Sequence, residues 1–520
     1  GAVQATEDSL VELQKSIGDN LSDAVSMIFG THLLMLKDPQ LSGEILKLID
    51  AGENPPLAVI KVISHYVDVL LASKNEYIRE KVFDVEDVAN RLLRNLLQGD
   101  SILPDIKNKI VIARELLLSD LVRIYFEKAG GVILLTGGVT SHLAILARTL
   151  KIPVVITTDT QLITLPPSTK LLMDAENGTI FINPSAEIVA QYTTANNARL
   201  AIKQSSPILR ETTFTKDNVR VKLMININLL KDLTSAQQLP YDGIGLYRTE
   251  FPFLVRRDFP DEEQQFTIYK KLIEGSQGKP VIFRTLDIGG DKVLSYYNAP
   301  QEHNPFLGLR SIRFSLKNQD IFKQQIRAIL RAGHNSPTKI MFPMISSLEE
   351  FTRAKDIVAT CSRELHKEGT PYAIKPSIGM MVEVPSVIEL IDTFAQTADF
   401  FSIGTNDFIQ YMLAVDRTNE QLSENYIPHH PAVLRGLEKI ISSCNKHGKE
   451  VSVCGDMANK PEYLAFLLGV GIREISIEPA HFPKIQNEIA CIDTVQAGAL
   501  AHTILKFGTI AEIETALFSK

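Results

Sequence analysis

Cysteine is scarce in this chain. There are four among 520 residues, Cys361, Cys444, Cys454 and Cys491, and no two stand in C-x-x-C spacing. That excludes a zinc site of that kind and a disulfide framework. Basic charge is not in excess: 54 Lys and Arg against 61 Asp and Glu give a net charge of −7, with a pI near 6.0. Nothing therefore advertises a nucleic acid or an anionic membrane as partner. Long apolar runs are also missing. The longest, such as 132–135 and 153–156, are strand-sized, far below the ~20 residues a membrane span needs. The first residues, GAVQATEDSLVEL, begin on a helical pattern with no basic or apolar leader region, so the expectation is a cytoplasmic protein.

At 57.8 kDa the chain is too long for one hydrophobic core. Hydrophobic residues at 45% and charged residues at 22% are ordinary for a globular protein and exclude collagen-like or disordered readings. Four regions are expected. Residues 1–108 read as helices, with apolar positions at three- and four-residue spacing (Ala24, Ile28, Leu33, Leu34, Leu36) and with Asp38-Pro39 and Asn54-Pro55-Pro56 as helix starts. Residues 109–184 read as a small α/β domain. Its strands are KIVIA (109–113), GVILL (131–135) and PVVIT (153–157), followed by a hairpin turned at Asn177-Gly178. Residues 185–218 read as a linker helix with a hinge beyond it.

From 219 to 520 strand and helix alternate. The eight candidate strands are VKLMININ (221–228), GIGLYRTE (243–250), PVIFRTLDIG (280–289), KIMFPMIS (339–346), IGMMVEVP (378–385), FFSIGTND (400–407), EVSVCGDMA (450–458) and REISIEP (473–479). Mostly apolar runs are what strands covered on both faces require. Eight such units predict a closed (β/α)8 barrel rather than an open sheet.

Barrel chemistry sits at the C-terminal strand ends. Read in order, those ends carry Arg248, Arg284 with Asp287, Pro343-Met344, Glu383, Asn406-Asp407, and Cys454 followed by Asp456; Arg310 and Arg417 lie just beyond. Four arginines against two acids, Glu383 and Asp407, predict excess positive charge facing a cavity. The set suits a small, highly charged anion held with a divalent metal. Arginine forks match phosphate and carboxylate, and two carboxylates plus substrate oxygens suit Mg²⁺. A phosphorylated carboxylic acid meets every requirement. Position alone leaves Cys454 open between a proton donor and a small core residue.

A second candidate site lies in GGVTSH (137–142). The glycines permit a tight turn, and Thr140-Ser141 can cap a helix. His142 then sits in the first helical turn, where unpaired N–H groups favour an anion. The residues alone leave His142 open between a phosphoryl acceptor and a structural histidine. His429-His430 reads as a structural or solvent-facing pair.

These segments together resemble enzyme I of the bacterial phosphotransferase system, the phosphoenolpyruvate–protein phosphotransferases. GGVTSHLAILARTLKIPVV resembles the family's phosphohistidine segment. GIGLYRTEF, FRTLDIGGDK, NPFLGLRSIRFS, MMVEVPS, FFSIGTNDFIQYMLAVDR and VSVCGDMA resemble its barrel signatures, in the family's order. The resemblance implies His142 as the phosphorylated nucleophile and Cys454 as the acid that protonates the enolate. It also implies that Arg248, Arg284, Arg310, Asn406, Asp407 and Arg417 hold phosphoenolpyruvate, with Glu383 and Asp407 on Mg²⁺. It further implies a homodimer through the barrel (219–520), a swivelling phosphohistidine domain (109–184), and a helical subdomain (1–108) that docks an HPr-like phosphocarrier protein. LYRTEFPFLVR and SIRFSL look more like the nitrogen-regulatory branch than the sugar-transport one.

The sequence also departs from the pattern. Val139 stands where many members carry a basic or polar residue. The family's first strand with its glycine-rich turn, and the GAF domain usual in the nitrogen branch, have no counterpart in these residues. Two rival readings are a fragment of a pyruvate-phosphate dikinase or phosphoenolpyruvate synthase, which would need an ATP-binding domain, and a non-catalytic regulatory relative, which would need broken site residues.

Overall fold

In the computed structural model, the structure describes residues 2–8, 10, 33, 35–71, 76–97, 105–114, 116, 118–135, 147, 150, 152–175, 178–190, 192–193, 209–254, 258–289, 297, 302–417 and 419–518. The chain forms two compact units, residues 1–206 and 207–520.

In the first unit helices α1 (Pro39–Asp50), α2 (Pro55–Leu71) and α3 (Glu76–Leu96) precede β1 (Ile110–Ala113), and residues 2–8 are helical as well. Asp38 starts α1 as the sequence predicts: its carboxylate accepts the Gln40 N–H at 2.8 Å, and Pro39 takes the first helical position, where no N–H is needed. Leu41, Val59, Val62, Ile63 and Ala89 pack the three helices together. After β1 come α4 (Leu118–Phe126), β2 (Gly131–Leu134) and β3 (Val154–Ile156), and the strands form a parallel sheet in the order β1-β2-β3. Strands β4 (Leu171–Asp174) and β5 (Thr179–Ile182) pair antiparallel as the expected hairpin, with Asp174 opposite Thr179 and four residues between them; Asn177 lies outside the described residues. Val88 and Leu92 of α3 share a core with Leu121, Ile124, Val132 and Leu134.

The second unit is a closed barrel of eight parallel strands, β6 (Lys222–Ile227), β7 (Ile244–Arg248), β8 (Val281–Arg284), β9 (Thr338–Phe342), β10 (Ser377–Val382), β11 (Phe400–Gly404), β12 (Glu450–Cys454) and β13 (Glu474–Ile477). Each coincides with one of the eight predicted runs, β9 and β10 starting one residue before theirs, and each stops one to five residues short of the run's end. Closure follows from burial: all positions of β8, β11 and β13 are buried, so no face of the sheet is left for water. The helices α5 (Glu262–Gly275), α6 (Gln319–Ala332), α7 (Leu348–Glu368), α8 (Thr405–Leu413) and α9 (Pro431–Lys446) cover it. Inside, Leu246, Ile282, Met341, Met381, Phe400 and Cys454 form one packed layer. Each fully buried aliphatic or aromatic side chain contributes about 1.5–3 kcal/mol, so the barrel is a filled core and its chemistry is confined to the rim.

Residues 209–217, inside the segment expected to act as a hinge, are bonded to the barrel. Gln486 holds the backbone of Arg210, and Thr494 donates to Asp217. Helical residues 186–190 and 192–193 lie in the other unit, and 191 and 194–208 of the expected linker lie outside the described residues. Among the described residues no helix is long and apolar enough to cross a membrane. Cys361, Cys444 and Cys454 are buried and free, and Cys491 is exposed and free.

Candidate active site at the barrel mouth

Parallel register puts the first two arginines side by side: Arg248, the last residue of β7, pairs directly with Arg284, the last of β8. Arg248 is half-buried and donates to Asn228 Oδ1 at 2.9 Å. Arg284 is 5% exposed and forms ion pairs with Glu250 and, at 3.2 Å, with Asp287. Burial works against its charge, but Glu250, Asp287 and Glu383 outweigh that and raise its pKa above the ordinary guanidinium value. Its Nε has no hydrogen-bond partner among the described residues although it is buried. An orphaned donor of this kind costs stability unless something fills it.

Arg310 is 1% exposed, and all five of its N–H groups are engaged. Nε and Nη2 donate to Asp287 at 3.2 and 3.3 Å, Nη1 and Nη2 to Asp407 at 3.2 Å each, and Nη1 to the Tyr411 hydroxyl at 3.0 Å. In this geometry Arg310 bridges two carboxylates and keeps no N–H for a substrate. Gly289 makes the approach possible, since at φ +103° a Cβ there would lie 2.9 Å from the Arg310 Cα.

Asn406 and Asp407 lie in the first turn of α8 rather than on β11, because the strand stops at Gly404. Burial opposes ionisation of Asp407, but Arg310 and Arg417 prevail and hold its carboxyl below the usual range. Glu383 is 1% exposed and accepts the Met344 N–H at 3.0 Å. Burial, then the neighbouring Asp407 and Asp287 carboxylates, push it up to about 8. Met344 holds φ at +55°, and Ser311, next to Arg310, holds +58°. Strained backbone at two side-chain-bearing positions beside one charged cluster is what functional sites store.

Cys454 ends β12, 1% exposed. Its thiol donates to Ile403 O at 3.4 Å and accepts from the Ser402 hydroxyl at 3.6 Å. Burial raises its pKa, with the Ser402 bond and Arg248 pulling the other way. The proton therefore stays on sulfur, as a proton donor requires. Gly455 follows at φ +91°, where a Cβ would strike Asn406 Oδ1 at 2.6 Å, and this lets the Asp456 N–H reach that oxygen at 2.7 Å. The backbone N–H of Arg417 donates to Gln410 Oε1 at 3.2 Å, and its guanidinium acts on Asp407.

The expected excess of positive charge is narrowed here. Arg248, Arg284, Arg310 and Arg417 meet not two acids but four, Glu250, Asp287, Glu383 and Asp407, with Glu250, Asp287 and Asp407 paired to arginine. The deeply buried Arg284 and Arg310 need such partners to stay charged, and with Glu383 protonated the half-buried Arg248 and Arg417 leave a modest positive excess.

The chain matches the family descriptions "PEP-utilising enzyme, PEP-binding domain" over residues 203–494, "PEP-utilising enzyme, mobile domain" over 105–178 and "PEP-utilising enzyme, N-terminal" over 1–81. The phosphoenolpyruvate-protein phosphotransferase of Bacillus sp. (strain S) is 37% identical over 517 residues, covering 98% of this chain and 89% of that protein. That of Bacillus subtilis (strain 168) is 37% identical over 516 residues, covering 98% and 90%. The chain belongs to the phosphoenolpyruvate-protein phosphotransferase family. Among solved structures, a solution structure of an Enzyme I protein is 28% identical with a TM-score of 0.33, covering 38% of this chain and 81% of that one.

For this phosphotransferase family member, the fold brings the predicted barrel residues Arg248, Arg284, Arg310, Glu383, Asn406, Asp407, Arg417 and Cys454 to one mouth. His142 and the whole segment 136–146 lie outside the described residues. Sequence reasoning missed Glu250, Asn228 and Tyr411. Glu250 had a signal, standing two residues after Arg248 in the same motif, hence on the same side of an extended chain. Asn228 had one too, as the last residue of the first predicted strand run, and Tyr411 stands one helical turn after Asp407 within a quoted motif. His430, read as structural, caps α9 by accepting the Ala432 N–H at 3.1 Å, and His429 bonds the Tyr463 hydroxyl at 3.3 Å.

Proposed function

We propose that this enzyme transfers the phosphoryl group of phosphoenolpyruvate to His142, releases pyruvate, and passes the group to a histidine of an HPr-like phosphocarrier protein. The observation that carries the reading is the buried Arg284, with an unfilled Nε, beside a protonated Cys454 on the same mouth. A neutral imidazole nitrogen of His142 attacks phosphorus; the N–P bond forms as the P–O bond to the enolate breaks. Arg248, Arg284 and Arg417 face the transferring charge, so catalysis is positioning plus electrostatics. Asn406 is placed to orient the substrate from the first turn of α8. The enolate carbon takes the Cys454 proton, giving pyruvate and a thiolate that solvent reprotonates.

Mg²⁺ fits the donors. Among the described residues no group of three or more His, Cys, Asp or Glu is arranged to hold a metal, but Mg²⁺ typically takes one or two carboxylates and completes its shell with water and substrate oxygens. Glu383 and Asp407 would hold it, and it would supply charge neutralisation for the phosphate and the enolate. Asp407 turning toward a cation would return two N–H groups of Arg310 to the mouth, which gives Arg310 its place among the substrate-binding residues.

In the same reading residues 219–520 form the substrate-binding and dimer-forming domain, 109–184 carry His142, 1–108 dock the phosphocarrier, and 185–218 link them. LYRTEFPFLVR and SIRFSL support assignment to the nitrogen-regulatory branch, and the protein works in the cytoplasm. The test is intact-protein mass after incubation with phosphoenolpyruvate and Mg²⁺. An acid-labile phosphate on the protein, with an equivalent of pyruvate, is expected; no adduct and no pyruvate would overturn the reading.

A pH dependence follows from Glu383. Its folded pKa, about 8, lies above its ordinary 4.5. The metal-free folded protein thus holds a proton that the unfolded chain has released, and this contribution to stability is lost as pH rises from 4.5 through 8. Mg²⁺ must displace that proton. Its affinity should weaken about tenfold per pH unit from 8 down to 6, with about one proton released at pH 7. Titration calorimetry in two buffers of different ionisation heat, without phosphoenolpyruvate, measures this. Affinity flat across that range would refute the assignment of Glu383.

A further inference from the structure

A buried polar relay that no motif announces runs from the outer helices to the two strand ends that carry Arg248 and Arg284. Its centre is Gln325 on α6, 1% exposed. The Leu286 N–H donates to Gln325 Oε1 at 2.9 Å. That fixes which end of the amide is which, because a backbone N–H needs an acceptor. Gln325 Nε2 then donates to the Thr249 hydroxyl at 3.1 Å and the Tyr269 hydroxyl at 3.3 Å. Both hydroxyls accept from the amide, so both donate onward: Thr249 to Arg284 O at 2.8 Å, Tyr269 to Gln265 Oε1 at 3.0 Å. Gln265 Nε2 ends the relay on Pro260 O at 2.8 Å. Every bond has one possible direction, and each side chain in it is satisfied. Such a network gains more from completeness than its bonds do singly.

The relay's reach is specific. Thr249 stands between Arg248 and Glu250, and Leu286 stands just before Asp287. Arg284 O is the carbonyl of the arginine with the unfilled Nε. One side chain on the outside of the barrel therefore fixes, directly or through one hydroxyl, the backbone that carries two substrate arginines and the two carboxylates that Arg284 pairs with.

We infer that Gln325 is a positioning residue for phosphoryl transfer, setting the spacing of Arg248 and Arg284 without touching the substrate. The inference rests on the function proposed above. A displacement of about 1 Å at a reacting centre can cost about a hundredfold in rate, so a relay of this kind has a kinetic as well as a structural effect. The barrel holds its own control. Gln486 is equally buried and makes the same kind of bonds, with the Arg210 N–H at 3.1 Å, Arg210 O at 2.8 Å and the Thr213 hydroxyl at 2.9 Å, but none to a strand-end charge.

The experiment is single-turnover pyruvate formation by the full chain across a range of phosphoenolpyruvate concentrations, with Mg²⁺ and no acceptor. It compares the parent, Gln325→Met, Gln486→Met and Thr249→Val, each with its thermal midpoint. Gln325→Met and Thr249→Val should each lower the second-order rate about 10- to 100-fold, and their double variant should fall no further. Gln486→Met should lose comparable thermal stability yet keep the parental rate within about twofold. Should Gln325→Met not fold, Thr249→Val decides the matter by the same comparison. A parental rate in the relay variants, or an equal rate loss in Gln486→Met, would overturn the inference while leaving the function standing. A parent that forms no pyruvate would overturn the function and the inference together.

Discussion

Alanine at His142 is expected to abolish covalent phosphorylation while phosphoenolpyruvate still binds. The charged and polar groups of the barrel mouth, Arg248, Arg284, Arg310, Glu383, Asn406, Asp407, Arg417 and Cys454, include no histidine among the described residues, and the Cys454 proton is held on sulfur by burial. Guanidinium groups and carboxylates engaged with one another are poor acceptors for a phosphoryl group, so the nucleophile must come from elsewhere. An imidazole with an ordinary pKa near 6.5 is mostly neutral at pH 7 and can act as one. Among the other histidines, His334, His429, His430 and His447 are already bonded to neighbours in the barrel unit. His142 alone follows a glycine-rich turn at a predicted helix start. Two readouts separate its loss from damage to the barrel. Intact mass should show no phosphate on His142→Ala under conditions that label the parent fully, a loss of more than about a thousandfold. Thermal stabilisation by phosphoenolpyruvate with Mg²⁺ should persist, because the binding groups belong to the other compact unit. Phosphate on the variant would mean that another residue is the acceptor.

The barrel was legible in the sequence because each of its strands is an apolar run, and a strand buried on both faces must be one. VIFR of β8 and FFSIG of β11 are buried throughout and needed no tertiary knowledge to find. Strand ends were read too late for a definite reason. Thr405–Asp407 carry residues typical of a helix start rather than of a strand, but they were read as part of the run because they hold the site residues; Thr405 begins α8. A strand-end motif marks a residue that faces the mouth; it does not say what that residue is bonded to. Arg310 illustrates the difference. Its position implied a substrate contact, while its five N–H groups are spent on Asp287, after β8, and on Asp407 and Tyr411, both on α8.

Charge was the second limit. Counting acids at the strand ends found Glu383 and Asp407 as metal-type ligands and left the arginines apparently uncompensated. Glu250 and Asp287 were in quoted motifs but carried no sign of pairing. The physical requirement was available all the same: a guanidinium at 5% exposure cannot remain charged without a carboxylate. Burial, which the sequence gives only as an average, was the missing quantity. Gln325 was out of reach for the opposite reason. An amide in an amphipathic helix reads as an exposed position, and only the packing of α6 over β7 and β8 turns it inward.

Methionine at Arg284 should cost both stability and catalysis, and methionine at Arg248 catalysis alone. Both arginines end neighbouring strands in register, so they stand side by side at the barrel mouth, but their surroundings differ. Arg284 is 5% exposed and paired with Glu250 and Asp287. Removing it strips a buried cation from two buried carboxylates, a change that costs about 3–5 kcal/mol. Asp287 keeps Arg310, at 3.2 Å, which places the loss nearer the lower end of that range. Arg248 is half-buried with one bond, to Asn228, and a group so placed contributes about 1 kcal/mol or less to stability. Toward phosphoenolpyruvate the two should look alike. Each supplies a fixed positive charge where charge is redistributed, and removing such a group costs about 10²- to 10³-fold in rate. Denaturant unfolding and single-turnover pyruvate formation on the same preparations separate the two effects. Equal stability loss in the two variants would contradict the burial argument. Unchanged turnover in Arg248→Met would remove that residue from the substrate site and leave Arg284 to hold the anion with Arg417.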